Sequence, residues 1–278
     1  MGYFYTYARC LLMNRRIEVT LTTTWSRTMR LTAFLVLAFA STAQARLPIF
    51  EALDSASGHP TSFAPCPQFF AQGKPPAVAS GPHLRELCYE AFAVLHSGET
   101  KTPVFVARRL NRQSIEDADE KRATKFFADA RLPRRERAEL EDYKGSGYSR
   151  GHMAPAGDMP TPTAMAQSFS LANMVPQNAQ HNGGAWAKIE QDTRHYVRRA
   201  TGDVYVITGP VFTEGSPRIG NNGVMVPTYL FKLVYDQHTN RAWAHWQENK
   251  EGERVGRPIS YQELVKRTGV EFLPILGM

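Results

Sequence analysis

Ser149-Arg150-Gly151-His152-Met153-Ala154-Pro155-Ala156 is the stretch from which the rest of the chain is read. Histidine is the side chain best placed to take a proton near neutral pH. Gly151 permits a tight backbone path just before it, and Arg150 brings fixed positive charge close by. Further along, Asn182 opens a segment that reads as a helix to Ala200, with good formers after Gly183-Gly184, no proline, and Thr201-Gly202 as a stop. From Asn182, the residues Trp186, Glu190 and Arg194 follow at successive four-residue steps. They lie along one slowly drifting stripe, so an amide oxygen, a carboxylate and a guanidinium face the same way from one rigid element.

Around this centre the chain alternates irregularly between strands and helices. Thr102 to Leu110 reads as a strand with proline near its start, Asp203 to Gly209 as a buried strand, and Pro227 to Asp236 with Arg241 to Glu248 as a hairpin. Ser260 to Thr268 reads as a last helix. Leu87, Ala91 and Leu95 recur at helical spacing and predict a short helix over Leu84 to His96. The mixed charges of residues 111–142 read as a solvated surface. The fold class expected is α+β.

With 278 residues, 42% of them hydrophobic, the chain can bury a sizeable core, which excludes global disorder. Its formal charge of +7 suits a polyanionic partner. Much of that charge sits in the first 45 residues, which carry five arginines against one glutamate and leave 28 bases and 25 acids in the remainder. Arg27 and Arg30, the apolar run Leu31 to Ala40 and the Ala43-Gln44-Ala45 ending have the order of an export leader. Residues 1–28 are then an over-long gene start if Met29 begins the protein. Periplasmic or secreted localisation is expected, with a mitochondrial presequence as the competing reading. Three segments follow: a leader over 1–45, an N-terminal extension over 46–100, and a main domain over 101–278. Cys10 falls in the leader, so Cys66 and Cys88 are expected to form a disulfide after export. No basic amphipathic helix follows the leader, so stable membrane association is not expected.

Phosphodiester hydrolysis needs a base to deprotonate water, a hard cation to offset phosphate charge, and donors for the charge of the transition state. His152 is the candidate base, and Asn182 can offer an amide oxygen to Mg²⁺. Glu190 can orient water there, while Arg150 or Arg194 can meet phosphate in a forked way. The absence of a carboxylate cluster or a His-x-x-x-His pair argues against ordinary two-metal and zinc hydrolases. Taken singly, each residue also has an ordinary structural role: a loop histidine, an N-cap asparagine, an i,i+4 surface pair, a core tryptophan.

The combination resembles the DNA/RNA non-specific endonucleases of the ββα-metal superfamily. The likeness rests on Arg150-Gly151-His152-Met153-Ala154-Pro155-Ala156, then Asn173-Met174-Val175-Pro176-Gln177, then Asn182-Gly183-Gly184-Ala185-Trp186 followed by Glu190. It extends upstream through Arg122, Phe126, Asp129 and Leu132-Pro133, and downstream through residues 204–211 and Val226-Pro227 to about Leu273. The resemblance implies a central, mainly antiparallel sheet flanked by helices, carrying a ββα-metal motif. It implies His152 as general base, Asn182 as the direct ligand of Mg²⁺ (with Mn²⁺ as a substitute), and Glu190 holding the metal's water. Asn173, Arg150 and Arg194 become supporting residues, with Arg122, Arg150 and Arg194 facing phosphate. The family's leading acid is Ser149 here, which brings no negative charge to the site.

The reading is therefore an exported, Mg²⁺-dependent endonuclease acting on DNA and RNA with little sequence preference. Its rivals are a catalytically weakened nucleic-acid-binding protein on the same fold and a phosphodiesterase for smaller substrates. A homodimer is compatible with the sequence and not required by it.

Overall fold

The computed structural model describes residues 61–78 and 81–276; the leader expected over 1–45 lies outside them. A seven-stranded antiparallel sheet runs through the molecule. Its strands are β1 (Leu84–Cys88), β2 (Ala93–Ser97), β3 (Thr102–Leu110), β6 (Val204–Val211), β9 (Tyr229–Asp236), β10 (Arg241–Glu248) and β11 (Ile259–Ser260), in that spatial order. Two small pairs stand apart from it, β4 (Ser149–His152) with β5 (Met174–Gln177) and β7 (Arg218–Ile219) with β8 (Val224–Met225). The helices are α1 (Arg112–Glu116), α2 (Leu140–Tyr143), α3 (Pro162–Ser168), α4 (Ala179–His181), α5 (Ala187–Val197) and α6 (Tyr261–Thr268). The architecture is α+β.

Alternation along the strands divides the core in two. Phe105, Ala107, Tyr205, Ile207, Phe231, Leu233 and Ala244 face α6 and the segment 61–78. The other face presents Val106 and Leu230 beneath Trp186 and Ile189, the apolar side of the helix that starts after β5. The expected β9–β10 hairpin is present, paired from Tyr229↔Glu248 to Asp236↔Arg241. Ser260 caps α6 by accepting from Glu263 N–H, and Gly269 closes it in the left-handed region at φ 70°.

The helix expected over Leu84 to His96 is instead the β1–β2 hairpin, in register from Leu84↔Ser97 to Cys88↔Ala93. Its turn is closed by Tyr89 N–H donating to the Phe92 carbonyl at 2.9 Å. Every residue of β2 is buried, so this run lacks the polar face that separates a half-buried helix from a central strand. Because β2 pairs directly with β3, the sheet continues across the boundary expected at residue 100. Cys66 and Cys88 are bonded, with Cα atoms 5.9 Å apart, tying the 61–78 segment to β1.

Candidate active site

The site is built on β4, β5 and the helical run that follows them. Ser149↔Gln177, Arg150↔Pro176, Gly151↔Val175 and His152↔Met174 set the register of the two strands. Gly151 is required by close approach, since a Cβ there would lie 2.0 Å from Gln177 Oε1. The buried Gln177 Nε2 is 3.1 Å from His181 Nδ1, which ties the strand end to the first helical turn. That turn starts earlier than expected, because Asn178, not Asn182, accepts the capping bond, from His181 N–H. Asn182 has right-handed helical angles (φ −58°, ψ −49°) and opens a π-turn over Asn182–Trp186. Such turns recur at functional sites. The N-cap role for Asn182 is thereby excluded, and its side-chain amide has no hydrogen bond among the described residues.

His152 is 8% exposed, and its Nε2 is buried without a hydrogen-bond partner among the described residues. Phe169 meets the ring edge-on with centroids 4.9 Å apart, and Phe126 lies at 5.8 Å. Burial, reinforced by the positive charge of Arg122, lowers the imidazole to about 3. It is therefore neutral, and able to accept a proton, throughout the neutral range. The two arginines next to it rest on the same aromatics: Arg150 lies 4.3 Å from the Phe126 centroid and Arg122 lies 5.3 Å from that of Phe169. Among the described residues neither has a carboxylate partner, so both charges remain available to an anion.

Asn173 is fully buried behind this face. Its Oδ1 accepts from Ala154 N–H at 2.8 Å, and its Nδ2 donates to the carbonyls of Ala154 and Ser168. It clamps the backbone just after His152 and has no free group to offer a substrate. The 122–132 loop is anchored by Asp129, which accepts from Tyr89 Oη and from Arg131.

At the far end of α5, the ordinary i,i+4 surface pair that Glu190 and Arg194 could have formed is absent among the described residues. Arg194 Nη1 instead donates to Asp158 Oδ1 at 2.9 Å, and Arg108 from β3 reaches the other oxygen of the same carboxylate. Burial works against the Asp158 charge, but Arg108 and Arg194 overcome it and hold the carboxyl below its ordinary range. Glu190 is raised, by burial first and by the Asp158 charge next, with Lys232 opposing. Lys232, fully buried on β9, is lowered by burial; it donates to Thr208 Oγ1 at 3.1 Å and lies 4.9 Å from the Trp186 ring centre. Trp186 itself is wholly buried, a core residue and not a stacking platform.

Asp158, Arg108 and Lys232 escaped the sequence reading. Arg108 and Lys232 each interrupt an otherwise apolar strand, Val-Phe-Val-Ala-Arg-Arg-Leu and Leu-Phe-Lys-Leu-Val. A long cation in such a run is the signal that would have found them, because a charge that cannot reach water needs a partner.

The donor set suits a hard cation. No group of three His, Cys, Asp or Glu side chains able to hold a metal occurs among the described residues, which does not fit tetrahedral zinc. An unpaired amide oxygen at Asn182 with the partly buried Glu190 carboxylate two turns on fits an ion that retains most of its waters. No helix among the described residues is long and apolar enough to cross a membrane.

Comparisons with known proteins show what the chain is similar to. The chain is 32% identical over 210 residues to human "Nuclease EXOG, mitochondrial", covering 68% of this chain and 57% of that protein. It is 33% identical over 169 residues to "Nuclease C1" of Cunninghamella echinulata, covering 56% of this chain and 67% of that one. Human "Endonuclease G, mitochondrial" is 32% identical over 156 residues, covering 52% of each. The chain spans about half the length of the mitochondrial nucleases it matches first. Its fold is similar to that in a crystal structure of an EndoG/EndoGI complex, with a TM-score of 0.62 and 22% identity, covering 78% of this chain and 93% of that one. Residues 76–275 match the profile described as DNA/RNA non-specific endonuclease. The chain belongs to the DNA/RNA non-specific endonuclease family.

Proposed function

We propose that this protein is an Mg²⁺-dependent endonuclease that hydrolyses phosphodiester bonds of DNA and RNA with little sequence preference. The observation that carries the reading is His152: a neutral, buried imidazole whose Nε2 has no protein partner, flanked by two arginines that lack carboxylates.

On this reading Arg122 and Arg150 draw in the negative strand, and the remaining N–H groups of Arg194 donate to the phosphate undergoing attack. His152 Nε2 takes a proton from the attacking water as the water oxygen bonds to phosphorus and the bond to the leaving oxygen breaks. Asn182 is the direct ligand for Mg²⁺, with Mn²⁺ as a substitute, and Glu190 stands beside it. When bound, the cation offsets the charge of the phosphate oxygens. Asn173 acts without touching substrate, by fixing the backbone at Ala154. Contacts of this kind go to phosphate and sugar and carry no base information directly.

Export to an oxidising compartment accounts for the Cys66–Cys88 disulfide, whereas the mitochondrial names of the relatives favour the presequence reading of the leader. N-terminal sequencing of the mature chain decides: Arg46 as the first residue supports export.

The test of activity is digestion of plasmid DNA and of structured RNA by the purified chain. Both are expected to be cut with millimolar Mg²⁺ and spared with EDTA. Plasmid retarded on a gel yet never nicked with Mg²⁺ or Mn²⁺ establishes the binding-only alternative. Cleavage of a small diester alone establishes the phosphodiesterase.

A further inference from the structure

Beneath the C-terminal half of α5 lies a buried cluster of charge in which the proposed mechanism gives no part to Asp158 or Arg108. Asp158, 3% exposed, is gripped on one oxygen by Arg108, itself 1% exposed, and on the other by Arg194. Arg108 is rooted in β3, an interior strand of the main sheet, opposite Val206 of β6. Asp158 ends a single 3₁₀ turn, Ala156–Asp158, that begins four residues after His152, and its N–H is bonded to the Pro155 carbonyl at 3.1 Å. One short segment thus carries the proposed base and the carboxylate that holds Arg194. Arg194 uses only Nη1 in this contact, its Nε and Nη2 have no protein acceptor among the described residues, and its side chain is 22% exposed.

A guanidinium on a long side chain is mobile unless it is held, and a mobile donor loses most of its value in a transition state. We propose that Asp158, backed by Arg108, is a positioning residue: it fixes the Arg194 guanidinium so that the unbonded N–H edge meets the phosphate at the site of attack. The proposal rests on the nuclease reading above. Asp158 touches no substrate and acts through Arg194 alone. The charges of Lys232 and Glu190 lie near enough to act on the same cluster.

The test is a double-mutant cycle on cleavage of a labelled oligonucleotide with Mg²⁺, comparing Asp158→Asn, Arg194→Ala and the pair. Asp158→Asn is expected to lower kcat/KM by at least about tenfold in the otherwise native chain and by less than about twofold when Arg194 is already alanine. An equal loss in both backgrounds overturns the proposal and leaves the nuclease reading standing. A native chain that does not cleave overturns both. If Asp158→Asn alone fails to fold because Arg108 is left unpaired, the Arg108→Met/Asp158→Asn chain removes both buried partners. It is expected to show the same loss and the same dependence on Arg194; a rate equal to native overturns the role.

Discussion

The two ends of the site hold their arginines in opposite ways. Around His152, Arg122 and Arg150 lie on the rings of Phe169 and Phe126, have no acidic partner among the described residues, and keep their charge for an incoming anion. At the other end, Arg194 is bonded to Asp158, which is bonded in turn to the wholly buried Arg108. An aromatic face orients a guanidinium without neutralising it, whereas a carboxylate fixes it more tightly at the expense of part of its charge. The first arrangement suits capture of a strand whose position varies; the second suits a contact needed at one point.

The difference can be broken first by removing a buried partner. Arg108→Met leaves Asp158 with Arg194 alone and is expected to lower unfolding free energy by roughly 3–5 kcal/mol in urea titration. Arg122→Met, at the open end, is expected to change it by less than about 0.5 kcal/mol. Equal costs at the two ends would erase the distinction.

Acid tests the open end next. His152 is held at about 3, below its ordinary 6.5, by burial and by Arg122. The fold therefore favours the neutral ring, and this contribution to stability is complete above pH 6.5 and lost as pH falls towards 3. The buried His96, lowered by desolvation to about 4, acts in the same direction. Urea midpoints are expected to fall steadily from pH 7 to pH 4, with His96 alone accounting for on the order of 3 kcal/mol. A flat profile contradicts the buried neutral imidazoles. Arg122→Met is expected to raise the His152 titration followed by NMR, because it removes a neighbouring cation.

Ser149 opens β4, is half-buried, and stands where the resemblance drawn from the sequence implies an acid. Ser149→Asp is expected to raise kcat/KM about tenfold or more, near 1.4 kcal/mol of barrier; an unchanged rate removes Ser149 from the account. The smallest effect belongs to salt. Arg122→Met and Arg150→Met are each expected to reduce the slope of log affinity against log salt by about 1. Arg194→Met is expected to reduce it by less, since Asp158 already offsets its charge.

Legibility in the sequence follows the same division. His152, Arg150, Asn182 and Glu190 stand out as candidates from their spacing in short motifs, and β3, β9, β10 and α6 were legible because their patterns have clear periods and ends. The β1–β2 hairpin reads as a helix because Leu87, Ala91 and Leu95 mimic a helical face, whereas Leu87 lies on the edge strand β1, Ala91 in the turn and Leu95 on the buried strand β2. Asn182 reads from sequence as a helix start, but the true cap, Asn178, lies four residues earlier; an α-helical turn separates the two, and the π-turn begins at Asn182 itself. The Arg108–Asp158–Arg194 chain joins three distant segments, and nothing local in any of them specifies the other two. Asn173 stands out in its motif, but its clamp on Ala154 and Ser168 emerges only from the fold.

The central claim is that His152 is the base. It is tested most directly by the rate of plasmid nicking in Mg²⁺ for the native chain and for His152→Ala, with unfolding curves confirming that both fold. The account predicts a loss of about 10²- to 10⁴-fold with EDTA abolishing what remains; nicking that survives both the substitution and the chelator contradicts it.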